Sequence, residues 1–281
     1  MEHTGYHPPI QLSLAEFKRF ASLAKSQLGL YLPESKITLV EARLQKRIQS
    51  LGFRKFGQYA DYLATQEGKK KELPVFISKV TTHKTEFLRE PEGFLYLVQQ
   101  AIPQLIQEGT RPIRLWSAAC SSGEEPYSMA MYLAETFGTL DSSRFVLVAS
   151  DVSEESVEQA RRGIYLESQV QNLPIDWRKK YLLRSKKAGQ NLVRIAPELR
   201  APIQFMAVNL LHPELNIRGK MQVILLRNVM IYFDRPTRLA ILNIICGRLS
   251  QNGYLVVGHA ESLHGLPLPL KQVNPMVYRR I

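Results

Sequence analysis

From Arg111 onward, short apolar segments alternate with segments of helical period. The apolar segments are IRLWS, RFVLVAS, MQVILL and GYLVVG, and the helical ones are Glu125–Phe137, Glu154–Arg162 and Pro236–Leu249. Parallel strands need long crossovers, usually helices, so this order predicts a doubly wound, mostly parallel α/β sheet. Residues from about 165 to 203 break the alternation with turn residues and short alternating runs. We predict a small antiparallel β insertion there.

The N-terminal part of the chain has a different pattern. Ser13 and Glu16 form a predicted capping box in front of apolar residues at helical spacing. Similar spacing predicts helices near residues 14–28, 35–50, 56–65 and 73–80. We therefore predict an all-α domain over residues 10–80, followed by the α/β domain over residues 81–281.

The charge balance points to an acidic partner. The chain has 37 Lys and Arg against 25 Asp and Glu, a formal net charge of +12. Nucleic acid, an anionic membrane surface and an acidic protein would all fit this excess. No apolar run could span a bilayer, and Cys120 and Cys246 lack metal-ligand spacing. We expect a cytoplasmic protein with no metal site, in which both cysteines are packing residues.

The loop after the first predicted strand, SAACSSGEEPYS, has the composition of a ligand-binding turn. Its small residues would let a ligand approach the backbone, and the following helix start would supply free N–H groups. Glu124 and Glu125 would repel a phosphate but suit an ammonium group. Asp151 ends the second predicted strand, where a carboxylate can accept hydrogen bonds from ribose hydroxyls. S-adenosylmethionine fits this description, although small-residue turns and acidic helix starts also serve packing alone.

Several longer motifs occur together, in order, along the chain. They are TTHKTEFLREPEGF, RLWSAACSSGEEPYSMAMYLA, ASDVSEESVEQARRGIY, RNVMIYFDRPTR and LSQNGYLVVGHAES. Their order and spacing resemble the chemotaxis receptor glutamate O-methyltransferases, the CheR family, over essentially the whole chain. The resemblance implies a Rossmann-like class I methyltransferase that uses S-adenosylmethionine to convert receptor glutamates into methyl esters for sensory adaptation. The second product would be S-adenosylhomocysteine.

The resemblance also implies roles for individual residues. His83 stands where the family usually has asparagine, which changes the donors and acceptors at that position. The implied cofactor-binding residues are His83, Thr85, Arg89, Glu124 or Glu125, Asp151, Asn209, Leu210, Arg227 and Asn228. Arg227 and Asn228 follow a buried strand, where we expect their side chains to face ligand. We predict two catalytic residues: Arg89 orients the incoming carboxylate, and Tyr232 positions the sulfonium.

The resemblance implies a partner as well, the acidic helical bundle of a chemoreceptor's cytoplasmic domain. Four basic residues on or near the second predicted helix are candidates for docking against it: Arg43, Lys46, Arg47 and Arg54. A solvated helix face is the alternative. Membrane contact would be indirect, through the receptor. Relatives whose insertion binds a receptor's C-terminal peptide carry several glycines there, whereas RSKKAGQNLVR has one, Gly189, which argues against such tethering.

Two other functions fit part of the pattern. A regulatory protein that binds the cofactor without catalysis would fit the changed residue His83, but Arg89, Tyr232 and the RN pair favour an enzyme. A nucleic-acid methyltransferase would fit the charge. The chain lacks a DPPY or NPPY motif, a proline-cysteine pair and aromatics interleaved with the basic helix, so we expect no nucleic-acid partner. His259 and Glu261 have no nucleophile at a recognisable spacing, and we predict a structural role for them.

Overall fold

A computed structural model describes residues 10–138, 140–187, 189–212 and 217–281. It divides the chain into two compact units. The helical unit contains the described residues up to Thr82 together with Tyr232–Asp234, and the α/β unit contains the rest from His83 onward. None of the helices within these described ranges is long and apolar enough to cross a membrane.

The helical unit is built from five α-helices: α1 (Leu14–Leu28), α2 (Ile37–Ser50), α3 (Phe56–Ala64), α4 (Gln66–Lys71) and α5 (Leu73–Val80). Ser13 and Glu16 form the predicted capping box at the start of α1. The core is aromatic: the ring of Phe20 lies 5.8 Å from that of Phe76 and 6.1 Å from that of Tyr59. Burying each such side chain contributes about 1.5–3 kcal/mol, so this cluster supplies much of the cohesion of a small unit. Helix α4 was not predicted.

In its described residues, the α/β unit contains two sheets and seven α-helices. The strands are β1 (Ile113–Ala118), β2 (Phe145–Asp151), β3 (Ile164–Leu166), β4 (Leu182–Arg184), β5 (Leu192–Ile195), β6 (Ile203–Ala207), β7 (Met221–Leu226), β8 (Leu249–Val257), β9 (Leu270–Asn274) and β10 (Val277–Arg280). The helices are α6 (Pro91–Tyr96), α7 (Ile102–Gln107), α8 (Glu124–Phe137), α9 (Glu154–Arg162), α10 (Ile175–Tyr181), α11 (Pro197–Arg200) and α12 (Arg235–Arg248). A π-helical turn, Leu97–Ala101, joins α6 to α7.

The main sheet has the order β6-β2-β1-β7-β8-β10-β9. Strands β6, β2, β1, β7 and β8 are parallel, whereas β10 runs antiparallel to both of its neighbours. This confirms the predicted doubly wound, mostly parallel sheet. The chain moves outward from β1 on one side and from β7 on the other, so the strand order reverses between these two strands. A crevice opens at the carboxyl ends of strands at such a reversal, and ligands of open α/β sheets bind there.

The predicted insertion is also confirmed as a small antiparallel sheet of order β3-β5-β4. Tyr165 and Val193, which are paired across β3 and β5, are both buried beneath it. Helix α10 lies between β3 and β4 in the chain, α11 follows β5, and neither helix was predicted. The insertion thus extends the α/β unit without interrupting its main sheet.

Candidate active site

The loop between β1 and α8 is a tight turn built on alternate left-handed residues. Ala119, Ser121 and Gly123 have φ values of 67°, 49° and 100°. Such a conformation costs a non-glycine residue about 1–3 kcal/mol, and strained residues of this kind cluster at functional sites. A Cβ atom at Gly123 would lie 2.8 Å from the Cβ of Ala160 in α9, so only glycine allows this close approach. The turn brings backbone to the carboxyl edge of β1.

Asp151, the last residue of β2, is fixed in place by this turn. Its Oδ2 accepts from the backbone N–H of Ser121 at 2.9 Å, and its Oδ1 accepts from that of Ser153 at 3.0 Å. The backbone N–H of Val208 donates to the carbonyl oxygen of Asp151 at 2.8 Å. The two predicted residues that follow, Asn209 and Leu210, therefore leave β6 beside Asp151. The structure brings these three predicted residues to one edge of the sheet.

The segment before α6 lies against the same edge. The Ser121 hydroxyl donates to the carbonyl oxygen of His83 at 3.2 Å, and Nδ1 of His83 lies 3.1 Å from the Ser156 hydroxyl. Arg89 is half-buried, and its Nη1 donates to the carbonyl oxygen of Lys84 at 3.2 Å. Two residues here, Leu88 and Glu90, again have positive φ values, 54° and 48°. The half-buried Thr85 belongs to the same segment.

Glu124 and Glu125 open α8 as two carboxylates with little access to water. Glu124 is 1% exposed and accepts from the Ser122 hydroxyl at 2.7 Å. Burial raises the pKa of Glu124, and the bond from Ser122 only partly opposes this rise. Burial also raises the pKa of Glu125, against the opposing effects of Arg227 and Ser117. Both ionised carboxylates would be stabilised by a further positive charge, so this part of the edge favours a cationic ligand group.

The side chain of Arg227 differs from our prediction, because it faces protein groups and is only 2% exposed. Its guanidinium contacts the carboxylates of Glu125 at 3.1 Å and Glu90 at 3.3 Å, and it stacks 4.7 Å from the ring centre of Phe94. It also donates to the carbonyl oxygen of Arg89 at 2.5 Å. Because two desolvated carboxylates need a counter-charge, the guanidinium is held between them. Any contact of Arg227 with a ligand would have to come chiefly from its backbone.

Asn228 is held by two glutamates, of which only Glu261 was singled out from the sequence. The Glu261 carboxylate accepts from the backbone N–H groups of Asn228, Met230 and Gly258 at 2.7, 2.7 and 2.8 Å. This is the structural role that we predicted for it. The second carboxylate, that of Glu90, accepts from the side-chain amide of Asn228 at 3.1 Å. Glu90 was not predicted from the sequence, although its position before Pro91 marks an unusual backbone.

The remaining predicted residues lie in the helical unit. The carbonyl oxygen of Tyr232 accepts from the backbone N–H of Tyr31 at 2.9 Å, so the structure groups Tyr232 with the helices and not with Arg89. Arg43 donates to the carbonyl oxygens of Val80 and Thr81, both at 3.0 Å. These contacts tie the Arg43 guanidinium to the end of α5.

The guanidinium of Arg47 also has a partner within the helical unit, since it forms an ion pair with Glu72. Glu72 is 3% exposed, and a carboxylate so buried needs a partner. Of the four predicted docking residues, Lys46 and Arg54 are the exposed ones. Arg43 and Arg47 thus already have partners within the helical unit, and docking through any of the four residues stays a prediction.

The donor set at this edge fits S-adenosylmethionine. Desolvated carboxylates of Glu124 and Glu125 suit its ammonium and sulfonium charges. Asp151 lies where ribose hydroxyls bind in α/β folds. The strained turn from Ala119 to Gly123 brings backbone close to a ligand without presenting a cationic side chain for phosphate.

Two family descriptions match the chain. Residues 15–81 match "CheR methyltransferase, all-alpha domain", and residues 83–278 match "CheR methyltransferase, SAM binding domain". The chain is 37% identical over 257 residues to the "Chemotaxis protein methyltransferase" of Escherichia coli K12, covering 92% of this chain and 87% of that protein. It is 32% identical over 276 residues to the protein of the same name from Borreliella burgdorferi, covering 96% of each.

Two solved structures are also similar to part of the chain. Magnesium protoporphyrin IX methyltransferase from Synechocystis PCC 6803 with bound SAM has 16% identity and a TM-score of 0.31, covering 70% of this chain and 72% of that one. TrmN from Thermus thermophilus has 14% identity and a TM-score of 0.38, covering 69% of this chain and 53% of that one.

Proposed function

Because this chain belongs to the CheR methyltransferase family, we propose that it methylates glutamate side chains on the cytoplasmic helices of chemoreceptors. It is a methyltransferase that depends on S-adenosylmethionine and acts in chemotaxis adaptation. The observation that most directly supports the proposed site is the gathering of Asp151, Glu124 and Glu125 at the sheet's reversal point. The second product of the proposed reaction is S-adenosylhomocysteine.

The chemistry asks little of the protein beyond alignment. A glutamate with an ordinary pKa of about 4.3 is already ionised at neutral pH, so no general base is needed. When bound, S-adenosylmethionine supplies a methyl group on a positively charged sulfur, and the new O–CH₃ bond forms as the S–CH₃ bond breaks. The residues must hold the attacking oxygen about 3 Å from the methyl carbon, in line with the bond that breaks. Desolvation of the site strengthens the electrostatic contacts that do this.

We assign the holding of the cofactor to the carboxyl edge of the α/β unit. Asp151, Asn209 and Leu210 would bind the nucleoside, and Glu124 or Glu125 would bind the methionine amine. His83 and Thr85 would close the same pocket from the segment before α6. The bond between His83 and Ser156 supports this placement, because it fixes the His83 ring beside the start of α9.

Arg89 is the proposed orienting group for the incoming glutamate. Its guanidinium donates to the carbonyl oxygen of Lys84 through Nη1, and its fork carries further N–H groups that can bind a carboxylate. Arg89→Ala should lower kcat about tenfold or more, because it removes a charge-assisted hydrogen bond to the incoming carboxylate. S-adenosylhomocysteine should still bind to this variant. Unchanged turnover would exclude this role.

Tyr232 is proposed to position the sulfonium, on the basis of the family resemblance. Tyr232→Phe keeps the aromatic ring, so it separates a contribution of the ring face from one of the hydroxyl. Full turnover in this variant with a loss in Tyr232→Ala would assign the role to the ring. Full turnover in both variants would remove Tyr232 from the mechanism.

The receptor surface is proposed to contact Lys46 and Arg54 of the helical unit, and to be acidic. No peptide tether at the receptor's C-terminus is part of the proposal. We also propose that the enzyme acts in the cytoplasm. The buried, unpaired thiols of Cys120 and Cys246 are consistent with a reducing compartment.

The test of the proposed function is transfer of radiolabelled methyl from S-adenosylmethionine to membranes that contain chemoreceptors. Methyl esters release methanol in alkali, so the label should become volatile after base treatment. Receptors whose cytoplasmic-helix glutamates are changed to alanine are the matched control and should stay unlabelled. Binding of S-adenosylhomocysteine without any base-labile label would instead support a regulatory binding protein.

A further inference from the structure

Glu90 connects three segments at the carboxyl edge of the sheet. Its Oε1 accepts from Nδ2 of Asn228 at 3.1 Å, after β7. Its Oε2 accepts from the guanidinium of Arg227 at 3.3 Å and from the backbone N–H of His259 at 3.2 Å, after β8. Burial by itself would raise the pKa of Glu90, but the bond from Asn228 and the charge of Arg227 hold it below the ordinary value. Glu90 is therefore an ionised carboxylate at neutral pH.

The side chain of Asn228 is confined from several sides. Its backbone has a φ of 57°, and its N–H donates to Glu261 at 2.7 Å. Its amide nitrogen, Nδ2, lies close to Gly258: a Cβ atom added to Gly258 would be only 2.6 Å from it. An amide held in this way can adopt few orientations. Two of them differ only by an exchange of the amide oxygen and nitrogen, and the hydrogen bond to Glu90 selects one of these two.

A carboxylate can only accept hydrogen bonds, so the amide of Asn228 must turn its NH₂ group toward Glu90. Its Oδ1 is then the atom left for another partner. Among the residues that the structure describes, none donates a hydrogen bond to Oδ1 of Asn228. The oxygen is thus available to accept a hydrogen bond from a ligand.

We infer that Glu90 is a positioning residue, which fixes the amide of Asn228 so that its carbonyl oxygen accepts a hydrogen bond from the cofactor. The cofactor group involved is an N–H or O–H donor, either the ammonium or a ribose hydroxyl. The inference rests on the proposed function, because it takes this edge to be the cofactor site. Glu90 acts through Asn228 and need not touch the cofactor itself.

Glu90→Gln is the substitution that tests the orientation. The carbonyl oxygen of the new side chain can still accept from Arg227 and His259, but its NH₂ group would replace the acceptor that faces Asn228. The Asn228 amide should then flip and offer a donor where the cofactor needs an acceptor. Affinity for S-adenosylhomocysteine, measured by calorimetry, should fall roughly 10- to 100-fold, as expected when a hydrogen bond is replaced by two opposed donors.

Glu92→Gln is the matched control. Glu92 lies two residues away, is 61% exposed and approaches the His259 ring at 3.5 Å. The same change of a carboxylate to an amide should leave the affinity for S-adenosylhomocysteine unchanged there. An equal loss in both variants would overturn the inference, because it would show a general effect of charge.

A double-mutant cycle separates positioning from simple destabilisation. If Glu90 works through Asn228, Glu90→Gln should cost little further affinity once Asn228 is changed to Ala. Additive losses would overturn the inference. The cycle is read in ligand affinity, with the thermal midpoint of each ligand-free variant recorded beside it, because a merely structural role would move the midpoint without this coupling.

A polarity swap keeps the test decisive if Glu90→Gln folds poorly. Asn228→Asp alone places two carboxylates together and should abolish binding. Adding Glu90→Gln to it restores a donor facing an acceptor, keeps the total charge of the native pair and again leaves an oxygen for the cofactor. Recovered affinity in the double variant supports the inference, and no recovery overturns it. Failure of the wild-type chain to bind S-adenosylhomocysteine would instead contradict the proposed function.

Discussion

Two arginine–glutamate pairs show how the same chemistry serves different ends. In the helical unit, Arg47 pairs with Glu72, which also accepts from the hydroxyl of Tyr59 at 3.1 Å. In the α/β unit, Arg227 pairs with Glu90 and Glu125. The first pair joins α2 to the residue between α4 and α5, and the second joins the residue after β7 to the starts of α6 and α8.

The backbone distinguishes the two regions. Five of the six described non-glycine residues with positive φ lie on the loops around Arg227: Leu88, Glu90, Ala119, Ser121 and Asn228. In the described part of the helical unit, positive φ occurs only at Gly29 and Gly52. Strain is tolerated where a site must hold polar groups in fixed directions, and it is avoided where the pair only joins helices. The two pairs therefore differ in the strain of the backbone around them.

The largest effect is expected from Arg227→Gln. It leaves Glu90 and Glu125 without their shared counter-charge and should lower the free energy of unfolding by about 3–5 kcal/mol. Calorimetry should show that binding of S-adenosylhomocysteine is lost at temperatures where the variant is still folded. Urea unfolding measures the free energy of unfolding. The control is Lys71→Gln, which removes an exposed ion pair with Glu67 and should leave that free energy unchanged. Retained affinity for S-adenosylhomocysteine in Arg227→Gln would contradict the claim that this ion pair serves the cofactor site.

Glu72→Gln tests the other side of the comparison. It weakens a buried carboxylate's bonds to Arg47 and Tyr59 and should destabilise the helical unit by about 1–3 kcal/mol. Affinity for S-adenosylhomocysteine should stay at the wild-type value, since this pair is structural. Glu67→Gln on the exposed side of α4 is the control for the charge change. A variant that loses ligand affinity while the α/β unit is folded would show that the first pair also serves the site.

A smaller and opposite effect is expected from Glu124→Gln. Burial raises the pKa of Glu124, so the folded state loses stability as the pH rises from the ordinary glutamate value through this raised pKa. Because glutamine does not titrate, the variant lacks this loss and should be more stable than the wild type at neutral pH, with no gain at a pH well below the ordinary pKa of glutamate.

Ligand affinity should fall in the same variant if Glu124 binds the amine. Glu125→Gln, measured in parallel, decides which of the two carboxylates has that role. The control is Glu154→Gln, which changes the first residue of α9, an exposed position equivalent to Glu124 in α8. A stability gain in Glu154→Gln as large as that in Glu124→Gln would exclude burial as its cause.

The smallest effect concerns the exposed charges. Lys46→Glu combined with Arg54→Glu should raise the KM for receptor about threefold at low salt, and the difference should shrink as salt screens the contact. Lys220→Glu combined with Lys271→Glu applies the same charge change to exposed positions on the α/β unit. Equal effects from both pairs would show a response to total charge alone. In that case the helical unit would not be the docking surface.

The sequence predicted the elements whose periods are regular. Strands β1, β2, β7 and β8, helices α8 and α9 and the insertion could be predicted because apolar period and turn residues are local signals. The fifth parallel strand, β6, was not predicted. The segment from α6 to α7 was missed, since it contains a π-helical turn and Pro103, which disturb the helical period. Strands β9 and β10 were missed too, because β9 is mostly exposed and lacks a buried face.

The site was only partly predictable for a different reason. Residue types showed which polar side chains could bind a ligand, but not which of them bind each other. Arg227 was expected to face ligand and instead contacts Glu90 and Glu125, which are 137 and 102 residues away along the chain. The left-handed turn was hidden because Ala119 and Ser121 occupy positions where glycine would have marked it.

The most direct test of the central claim is hydrogen–deuterium exchange of the whole chain with and without S-adenosylhomocysteine. The claim is that the strained loops of the α/β unit form the cofactor site and that helices α1 to α5 do not. We expect protection of residues 83–90, 119–123 and 227–230, with unchanged exchange in α1 to α5. Protection concentrated in α1 to α5, with none in those loops, would contradict it.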